Sequence, residues 1–355
     1  MTRNHKQYLD LAFKIAETHL GKTKLNPSVG TVVVKNNTVI SSGVTSINGR
    51  PHAEYNALKN KVNFKGADIY TTLEPCTHYG FTPPCINIIK KKGIKNVYFG
   101  FEDPDTRTFK KAKPILSKNK IKAKLINSKN YKNFYKSYFF NKKFNQTFIS
   151  AKIAISKDHY SINKKSKWIT CEHAQKISHL LRSQNDCIFS TSKSINKDNS
   201  LLNCRINGLN NFKPDLFIID LKLKLKKNLL LNKLTIKRKT YLITNSENKK
   251  KVNFFKKKGF KIILIKHLSS KNDFIYLLKS LYKLGYSRAL FETGITFLNS
   301  LLNYKLVNNL YIIQNNKLLK NNGTNNSTSK YIKKIRLNKE IRINLNNDSL
   351  YQKEF

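Results

Sequence analysis

Three residues that can ligate a soft metal each come directly after a proline: Pro51-His52, Pro75-Cys76 and Pro84-Cys85. Glu54 lies two residues beyond the histidine in "PHAEYNAL" (51–58), and both cysteines fall in "TTLEPCTHYGFTPPC" (71–85). Two readings are open. Either His52, Cys76 and Cys85 hold an ion while Glu54 moves protons, or the chain has two buried thiols and a surface histidine. The first reading constrains the fold strongly, because residues 52, 76 and 85 must then converge on one coordination sphere.

The residue types favour the metal. One imidazole and two thiolates form a soft set suited to zinc, with the fourth tetrahedral position open. His52 is expected to begin one helix and Cys85 another, since Pro83 and Pro84 suit a first turn. The positive end of a helix dipole lowers a thiol's pKa, and a bound metal lowers it further. Zinc lowers the pKa of a bound water to about 7, and Glu54 can carry that water's proton to a leaving amine. A His-x-Glu step followed by Pro-Cys and a second cysteine is the signature of zinc-dependent deaminases. Here eight residues separate the cysteines instead of two. The reaction class is hydrolytic deamination of an amidine-like carbon.

The formal charge of +48 over 355 residues would ordinarily point to nucleic acid or an anionic membrane. The excess is lysine: 59 lysines stand against nine arginines, spread from end to end among many Asn, Ile, Phe and Tyr. These residue types share A/T-rich codons, so the charge reads as mutational bias and not as a binding face. Under that bias, a surviving arginine marks a place where a planar guanidinium resists replacement by an ammonium. Arg182 and Arg205 are singled out on this ground. Five widely spaced cysteines do not form a disulfide framework. No apolar run reaches the ~18 residues of a membrane span. The opening "MTRNHKQYLDLAFKIAETHL" reads as a helix with Tyr8, Leu11, Ala12, Ile15 and Ala16 on one face, not as a signal peptide. A cytoplasmic protein is expected.

The length suits two domains, each with its own core. In the first, "TVVVK" and "TVISSGV" flank a hairpin turn at Asn36-Asn37. A helix near 53–60, a strand "DIYTTL", a helix "CINIIKKKG" and a strand "KNVYFG" follow, implying an α/β sandwich with a partly parallel sheet. The aromatic, basic segment 131–145 is expected to be a packing helix at the domain boundary. A second alternating series runs through "TFISAKIAIS", "DCIFS", "PDLFIID", "KTYLIT", "KIILIK", "SRALFE" and "NNLYIIQ". The run "LKLKLKKNLLLNKL" alternates only in its first part, and its state is left open. The tail after Gly323 reads as a loose stretch followed by one or two short strands.

"NPSVG" (26–30), "PHAE" (51–54), "TLEPCTHYG" and "TPPC" (within 72–85) and "EDP" (102–104) together resemble the N-terminal half of the bifunctional riboflavin-biosynthesis deaminase–reductases. The resemblance implies a cytidine-deaminase-like three-layer α/β domain over residues 1–144. It also implies zinc on His52, Cys76 and Cys85, Glu54 as the catalytic proton carrier, and Asn26 near the substrate. A turn-forming Asn-Pro explains Asn26 nearly as well. His78 is placed beside the site and not on the metal, and Glu74 is read as structural. The family usually carries arginine between the positions of Gly80 and Thr82, whereas this chain has Phe81. If that arginine helps hold an anionic substrate, another cation must substitute here.

Taken alone, "FETGITF" is a weak phosphate signal, a glycine before a helix without the G-x-G-x-x-G pattern. However, "AKIAISKD" (151–158), "SKWIT" (166–170), "LLRSQNDCIF" (180–189), "KDNSLLNCR" (197–205), "FIID" (217–220) and "FETGITFLNSLL" (291–302) follow the order of the same family's reductase half. The resemblance implies a dihydrofolate-reductase-like α/β domain over 145–355 that uses NADPH. It places Ser166, Arg182, Leu202, Arg205 and Glu292 on the phosphoribosyl substrate. It places Ala154, Trp168, Ser194, Asp198 and the run Gly294, Ile295, Thr296, Phe297, Leu298, Asn299 and Ser300 along NADPH. Two guanidinium groups can grip a phosphate bidentately. The family's Asp-Gly is Asp158-His159 here, and its Asp-Asn-Pro is Asp198-Asn199-Ser200. A histidine in place of that glycine strains the turn if φ is positive there. Cys171, Cys187 and Cys204 read as inert small apolar residues.

The function implied is deamination of a phosphoribosylated diaminopyrimidine, then NADPH-dependent reduction of the ribosyl group of the resulting uracil. The partner is a small molecule, with no membrane and no specific nucleic acid, and homo-oligomer formation is left open. Two rivals remain. One is a tRNA or nucleoside deaminase with a basic nucleic-acid-binding C-terminal half, which does not account for the eight-residue cysteine interval, "SKWIT" or "KDNSLLNCR". The other is a non-catalytic basic protein with a structural zinc, which would need a closed set of four ligands.

Overall fold

The computed structural model describes residues 4–209, 213–235, 237–325, 328–337 and 340–355. Contacts divide the chain into two units, Met1–Gln146 and Thr147–Phe355. The division falls two residues beyond the expected one.

The N-terminal unit opens with α1 (His5–Glu17), which buries Leu9, Ala12, Phe13 and Ala16. This stripe is rotated from the expected face, and Leu11 is exposed. Phe13 draws the helix round by stacking on Tyr131 with ring centroids 3.9 Å apart. Strands β1 (Gly30–Lys35) and β2 (Thr38–Val44) pair antiparallel. Their connection, Asn36-Asn37, has φ of 50° and 63°, the left-handed conformation a two-residue hairpin needs. Next come α2 (Ala53–Leu58), β3 (Asp68–Thr71), α3 (Cys85–Lys91), β4 (Asn96–Phe99), α4 (Ala112–Lys118), β5 (Lys122–Leu125) and α5 (Lys136–Phe144).

The sheet order is β2-β1-β3-β4-β5. β1 pairs antiparallel with β3, and the last two pairings are parallel. Successive side chains point to opposite faces of a strand, and here both faces are covered. Val33, Ile69 and Val97 pack with Ala57, Ile86, Ile89 and Leu116 of α2, α3 and α4. On the opposite face, Val32, Val34 and Tyr70 pack with Ala12 of α1. Gly43 lets α2 lie close on β2: a Cβ there would stand 2.4 Å from the carbonyl oxygen of Ala53.

In the C-terminal unit, β6 (Phe148–Ser156), β7 (Ile162–Asn163), α6 (Glu172–Ser183), β8 (Cys187–Thr191), α7 (Ser192–Asp198), β9 (Asp215–Ile219) and β10 (Thr240–Thr244) come first. They are followed by α8 (Lys249–Lys257), β11 (Phe260–Leu264), α9 (Lys271–Lys283), β12 (Arg288–Phe291), α10 (Ile295–Asn303), β13 (Asn309–Asn315), β14 (Gly323–Thr324), α11 (Lys330–Lys334), β15 (Glu340–Ile341) and β16 (Asp348–Glu354). The main sheet runs β11-β10-β9-β8-β12-β6-β13-β16-β15. It is parallel from β11 to β13, and β16 and β15 close it antiparallel. Phe291, Phe189, Phe217 and Tyr241 are register partners on four adjacent strands. Their rings stack with centroids 4.4–4.8 Å apart, an aromatic ladder at the strand spacing.

The run 221–234 forms no strand. Leu223, Leu225, Leu229 and Leu231 are buried together, but the amides of Lys224 and Leu225 donate to the Asp220 carboxylate at 2.8 and 2.7 Å. A side chain has taken the ladder's acceptor role. The tail after Gly323 also departs from expectation, because α11 buries Ile332. Residues 326–327 and 338–339 of that tail lie outside the described residues.

Gly43→Ala is expected to lower the stability of the N-terminal unit by about 1–3 kcal/mol, the cost of overpacking a close contact. A urea titration read by near-ultraviolet dichroism checks this, and an unchanged midpoint would show that α2 has room to move.

Candidate active sites

His52 is the N-cap of α2, Glu54 lies in its first turn, and Cys85 is the first residue of α3 after Pro84. Cys76 sits in the loop after β3. The ligand atoms of His52, Cys76 and Cys85 lie within 4.8 Å of one another. His52 Nδ1 is 3.6 Å from Cys76 Sγ and 3.5 Å from Cys85 Sγ. Tetrahedral zinc with its usual bond lengths separates a nitrogen and a sulfur ligand by about 3.5 Å, so these residues fit that ion. The backbone N–H of Cys85 donates to Cys76 Sγ at 3.2 Å, orienting one ligand by the helix that carries the other. His78 is outside the cluster. Its Nδ1 is 3.1 Å from Thr108 Oγ1.

The electrostatics of this corner are those of a cation site. The hydrogen bond with Cys85 and the neighbouring His52 hold the Cys76 thiol far below its ordinary range. The same hydrogen bond, together with burial, pushes Cys85 up. Burial opposes the charged form of His52, yet Cys76 and Glu54 outweigh it and the pKa rises. Burial, then Cys76, pushes Glu54 up to about 7. Its Oε2 accepts from Cys85 Sγ at 3.4 Å.

His52, Glu54 and Cys76 line a cleft of about 480 Å³ that Asn26, Arg50, Phe81, Asp103, Arg107 and Lys142 also line. Asn26 donates to the carbonyl of Gly49 at 3.2 Å. Glu74 is occupied structurally, accepting from the amides of Asp103, Lys110 and Ala112 at 3.0–3.3 Å. The motifs did not reveal Arg50, Arg107, Lys142 or Tyr138. Tyr138 and Lys142 come from α5, so the packing helix also forms a wall of the cleft. Tyr138 donates to Asp103 at 3.0 Å, and burial pushes Asp103 up to about 6.

In the C-terminal unit, Ser194 and Glu292 follow the C-terminal ends of the parallel strands β8 and β12, where open α/β sheets bind ligands. Arg182 at the end of α6 grips Glu292 bidentately, Nε to Oε1 at 2.5 Å and Nη2 to Oε2 at 2.9 Å. Its Nη1 donates to the carbonyl of Asn203 at 3.1 Å. The guanidinium expected to grip a phosphate is therefore held by a carboxylate. Arg205, whose Nη1 donates to Asn203 Oδ1 at 2.7 Å, is the more exposed of the two. Two unanticipated cations stand nearby. Lys152 on β6 has its pKa lowered by burial and interacts with Glu292 and Arg182. Arg238, 6% exposed, donates to the carbonyls of Leu201, Leu202 and Pro214. A lysine inside the apolar run of β6 was the available signal for the first, and the scarcity of arginine for the second.

The remaining candidate residues differ in what their side chains can offer. Leu202 is 5% exposed and packs in the core, so its backbone, at φ 48°, is what this loop can offer. Ile295 and Leu298 are core residues and Phe297 packs on them. Asn299 is buried and donates to the carbonyl of Thr328 at 2.7 Å. The segment can therefore meet a cofactor through Gly294, Thr296, Ser300 and the amides of the first turn of α10. Gly294 and Ser194 are close neighbours: a Cβ on the glycine would lie 3.9 Å from Ser194 Oγ. Ala154 is on β6, Asp198 ends α7 half-buried, and Ser166 Oγ accepts from the amide of the exposed Trp168 at 3.2 Å. His159 does have positive φ, 64°, and its Nδ1 is buried without a partner among the described residues.

Residues 2–101 match the cytidine and deoxycytidylate deaminase zinc-binding region, and residues 147–342 match the RibD C-terminal domain. The riboflavin biosynthesis protein RibD of Aquifex aeolicus is 32% identical over 302 residues, covering 84% of this chain and 83% of its own. The RibD of Buchnera aphidicola is 32% identical over 331 residues, covering 88% and 87%. The structure of Acinetobacter baumannii RibD superposes with a TM-score of 0.82 over 98% of both chains at 23% identity, which bears on the fold. A Thermotoga maritima diaminohydroxyphosphoribosylaminopyrimidine deaminase/5-amino-6-(5-phosphoribosylamino)uracil reductase superposes with a TM-score of 0.80 at 23% identity. The family matches and the extended relatives answer the choice between the three readings: the chain belongs to the RibD family of riboflavin-biosynthesis proteins, bifunctional enzymes with a zinc-dependent deaminase and an NADPH-dependent reductase.

Proposed function

We propose that the N-terminal unit hydrolyses the 2-amino group of diaminohydroxyphosphoribosylaminopyrimidine, and that the C-terminal unit reduces the ribosyl group of the resulting 5-amino-6-(5-phosphoribosylamino)uracil. The convergence of His52, Cys76 and Cys85 beside Glu54 in an open cleft carries this reading. His52, Cys76 and Cys85 would hold zinc, which would supply Lewis acidity and an activated water. Glu54 takes a proton from the attacking water and returns it to the amine nitrogen. The carbon–nitrogen bond breaks, ammonia leaves, and the ring carbon keeps the oxygen. Asn26, fixed through Gly49, contacts the pyrimidine.

In the C-terminal unit, NADPH would supply the hydride, and this unit's residues would align C1′ of the ribosyl group with it and exclude water. The paired Arg182–Glu292 and Lys152 form a fixed charged wall. Arg205 takes the phosphate, with Ser166 and the Leu202 backbone beside it. Ala154, Trp168, Ser194, Asp198 and the start of α10 border the cofactor. Among the described residues, no helix is long and apolar enough to cross a membrane, in keeping with a cytoplasmic enzyme of small-molecule substrates.

Two constellations on two units imply separable chemistries. Purified protein is expected to carry one zinc per chain, with Glu54→Gln retaining the metal, losing deamination, and still oxidising NADPH when given the deaminated intermediate. Zinc lost in that variant would make Glu54 a ligand or structural residue. Arg205→Lys is expected to keep deamination and lose roughly tenfold to a hundredfold in reductase kcat/KM, the scale of a charge-assisted hydrogen bond. Wild-type protein that never consumes NADPH with this intermediate would refute the reductase assignment.

If the charge of +48 is mutational, RNA binding should be weak and fall steeply with salt. Sequence-selective binding that persists at physiological salt, read by filter retention, would favour the RNA-directed rival.

A further inference from the structure

Three cations line the deaminase cleft, and they are not equivalent. Arg107 is held bidentately by Asp105, Nε to Oδ1 at 2.9 Å and Nη2 to Oδ2 at 2.7 Å. Lys142 donates to the same carboxylate at 2.8 Å. One aspartate thus occupies two of the three. Arg50 has no ion pair among the described residues. Its Nη1 donates to Thr82 Oγ1 at 2.9 Å, and its guanidinium carbon stands 5.4 Å from the centroid of the Phe81 ring. Phe81 is 94% exposed, so the ring is not part of a core. It acts as a shelf on which a planar cation is held at the cleft mouth. Gly80 adjoins the same guanidinium without crowding it, since an added Cβ would lie 3.7 Å from Arg50 Nη2.

A further contact of Arg50 is weak. Nη1 is 3.5 Å from His52 Nε2, the outer limit of a hydrogen bond. With Nδ1 turned towards the two sulfurs as the ligand atom, Nε2 carries the ring hydrogen and cannot accept from a guanidinium. Arg50 is therefore a fixed, unneutralised cation next to the ligand cluster, with donors facing the cleft. Arginine at this point in a lysine-rich chain fits a task that needs two parallel donors.

We propose that Arg50, braced by Phe81 and Thr82, is the phosphate-recognising residue of the deaminase cleft and sets its preference for a phosphorylated substrate. This rests on the deaminase reading above and replaces the cation that Phe81 displaces. The test compares the phosphorylated diaminopyrimidine substrate with its dephosphorylated form, on wild-type, Arg50→Met and Arg50→Lys proteins with zinc content measured for each. Wild type should deaminate both forms and prefer the phosphorylated one. Arg50→Met should lose roughly tenfold to a hundredfold in kcat/KM on the phosphorylated form, mainly through KM, as expected for charge-assisted hydrogen bonds. The loss should largely vanish with the dephosphorylated form, and Arg50→Lys should recover part of it.

Equal losses on both forms, or a loss that follows zinc content, would make Arg50 a support for His52 and overturn the proposal. So would a wild type that does not discriminate between the forms. A wild type that deaminates neither would instead overturn the deaminase reading itself.

Discussion

The N-terminal unit depends on one electrostatic conflict. An imidazole, two thiols and a carboxylate are gathered in a partly buried corner, where each further negative charge costs more than the one before. Cys76 is driven to ionise, Cys85 and Glu54 are driven to stay protonated, and His52 is pulled towards its charged form. Such an arrangement is poor as a structural core and good as a socket for a divalent cation. The backbone is committed to it: α2 is pressed onto β2 through Gly43, and α3 begins at Cys85. Glu74 uses both carboxylate oxygens to fix the loop that brings Asp103 and Asp105 to the same cleft.

The C-terminal unit solves a different problem, that of presenting charge at the ends of parallel strands. Its aromatic ladder sets the register of β12, β8, β9 and β10, and that register fixes where Glu292 and Ser194 emerge. Arg182 and Glu292 neutralise each other with good geometry, the condition under which a buried pair is tolerable. Arg238 is buried and, among the described residues, donates to carbonyl oxygens of the loop that carries Leu202 and Arg205. Leu202 is held there in a left-handed conformation, a form of strain that persists only where surroundings enforce it.

Much of this was legible in the sequence because local chemistry determined it. The turn at Asn36-Asn37, the helix starts at His52 and Cys85 and the strand runs all have local signals. The segment 221–234 could not be assigned because its leucines alternate only in part, and what decides its state is the bonding of its amides to Asp220, a residue outside the pattern. α11 was missed for a different reason: its five residues are too few to show a helical repeat, and what holds it is the burial of Ile332. Among site residues, side-chain direction was what the motifs did not carry. Ile295, Leu298 and Leu202 lie in motifs that resemble binding segments, yet they face the core, and only their backbone is available to a ligand. Arg50 was invisible because its importance arises from Phe81, Thr82 and Asp105, at separations that no local pattern spans.

The central claim is that one chain performs both steps on one substrate in order. Mass spectrometry of the phosphoribosylated diaminopyrimidine after incubation with the protein tests it most directly. Without NADPH, the substrate should be replaced by a species in which oxygen has taken the place of the amino group, with ammonia released. With NADPH, that species should give way to one carrying two further hydrogens. Accumulation of the deaminated species in the presence of NADPH, or reduction of the substrate before its amine is lost, would contradict the account.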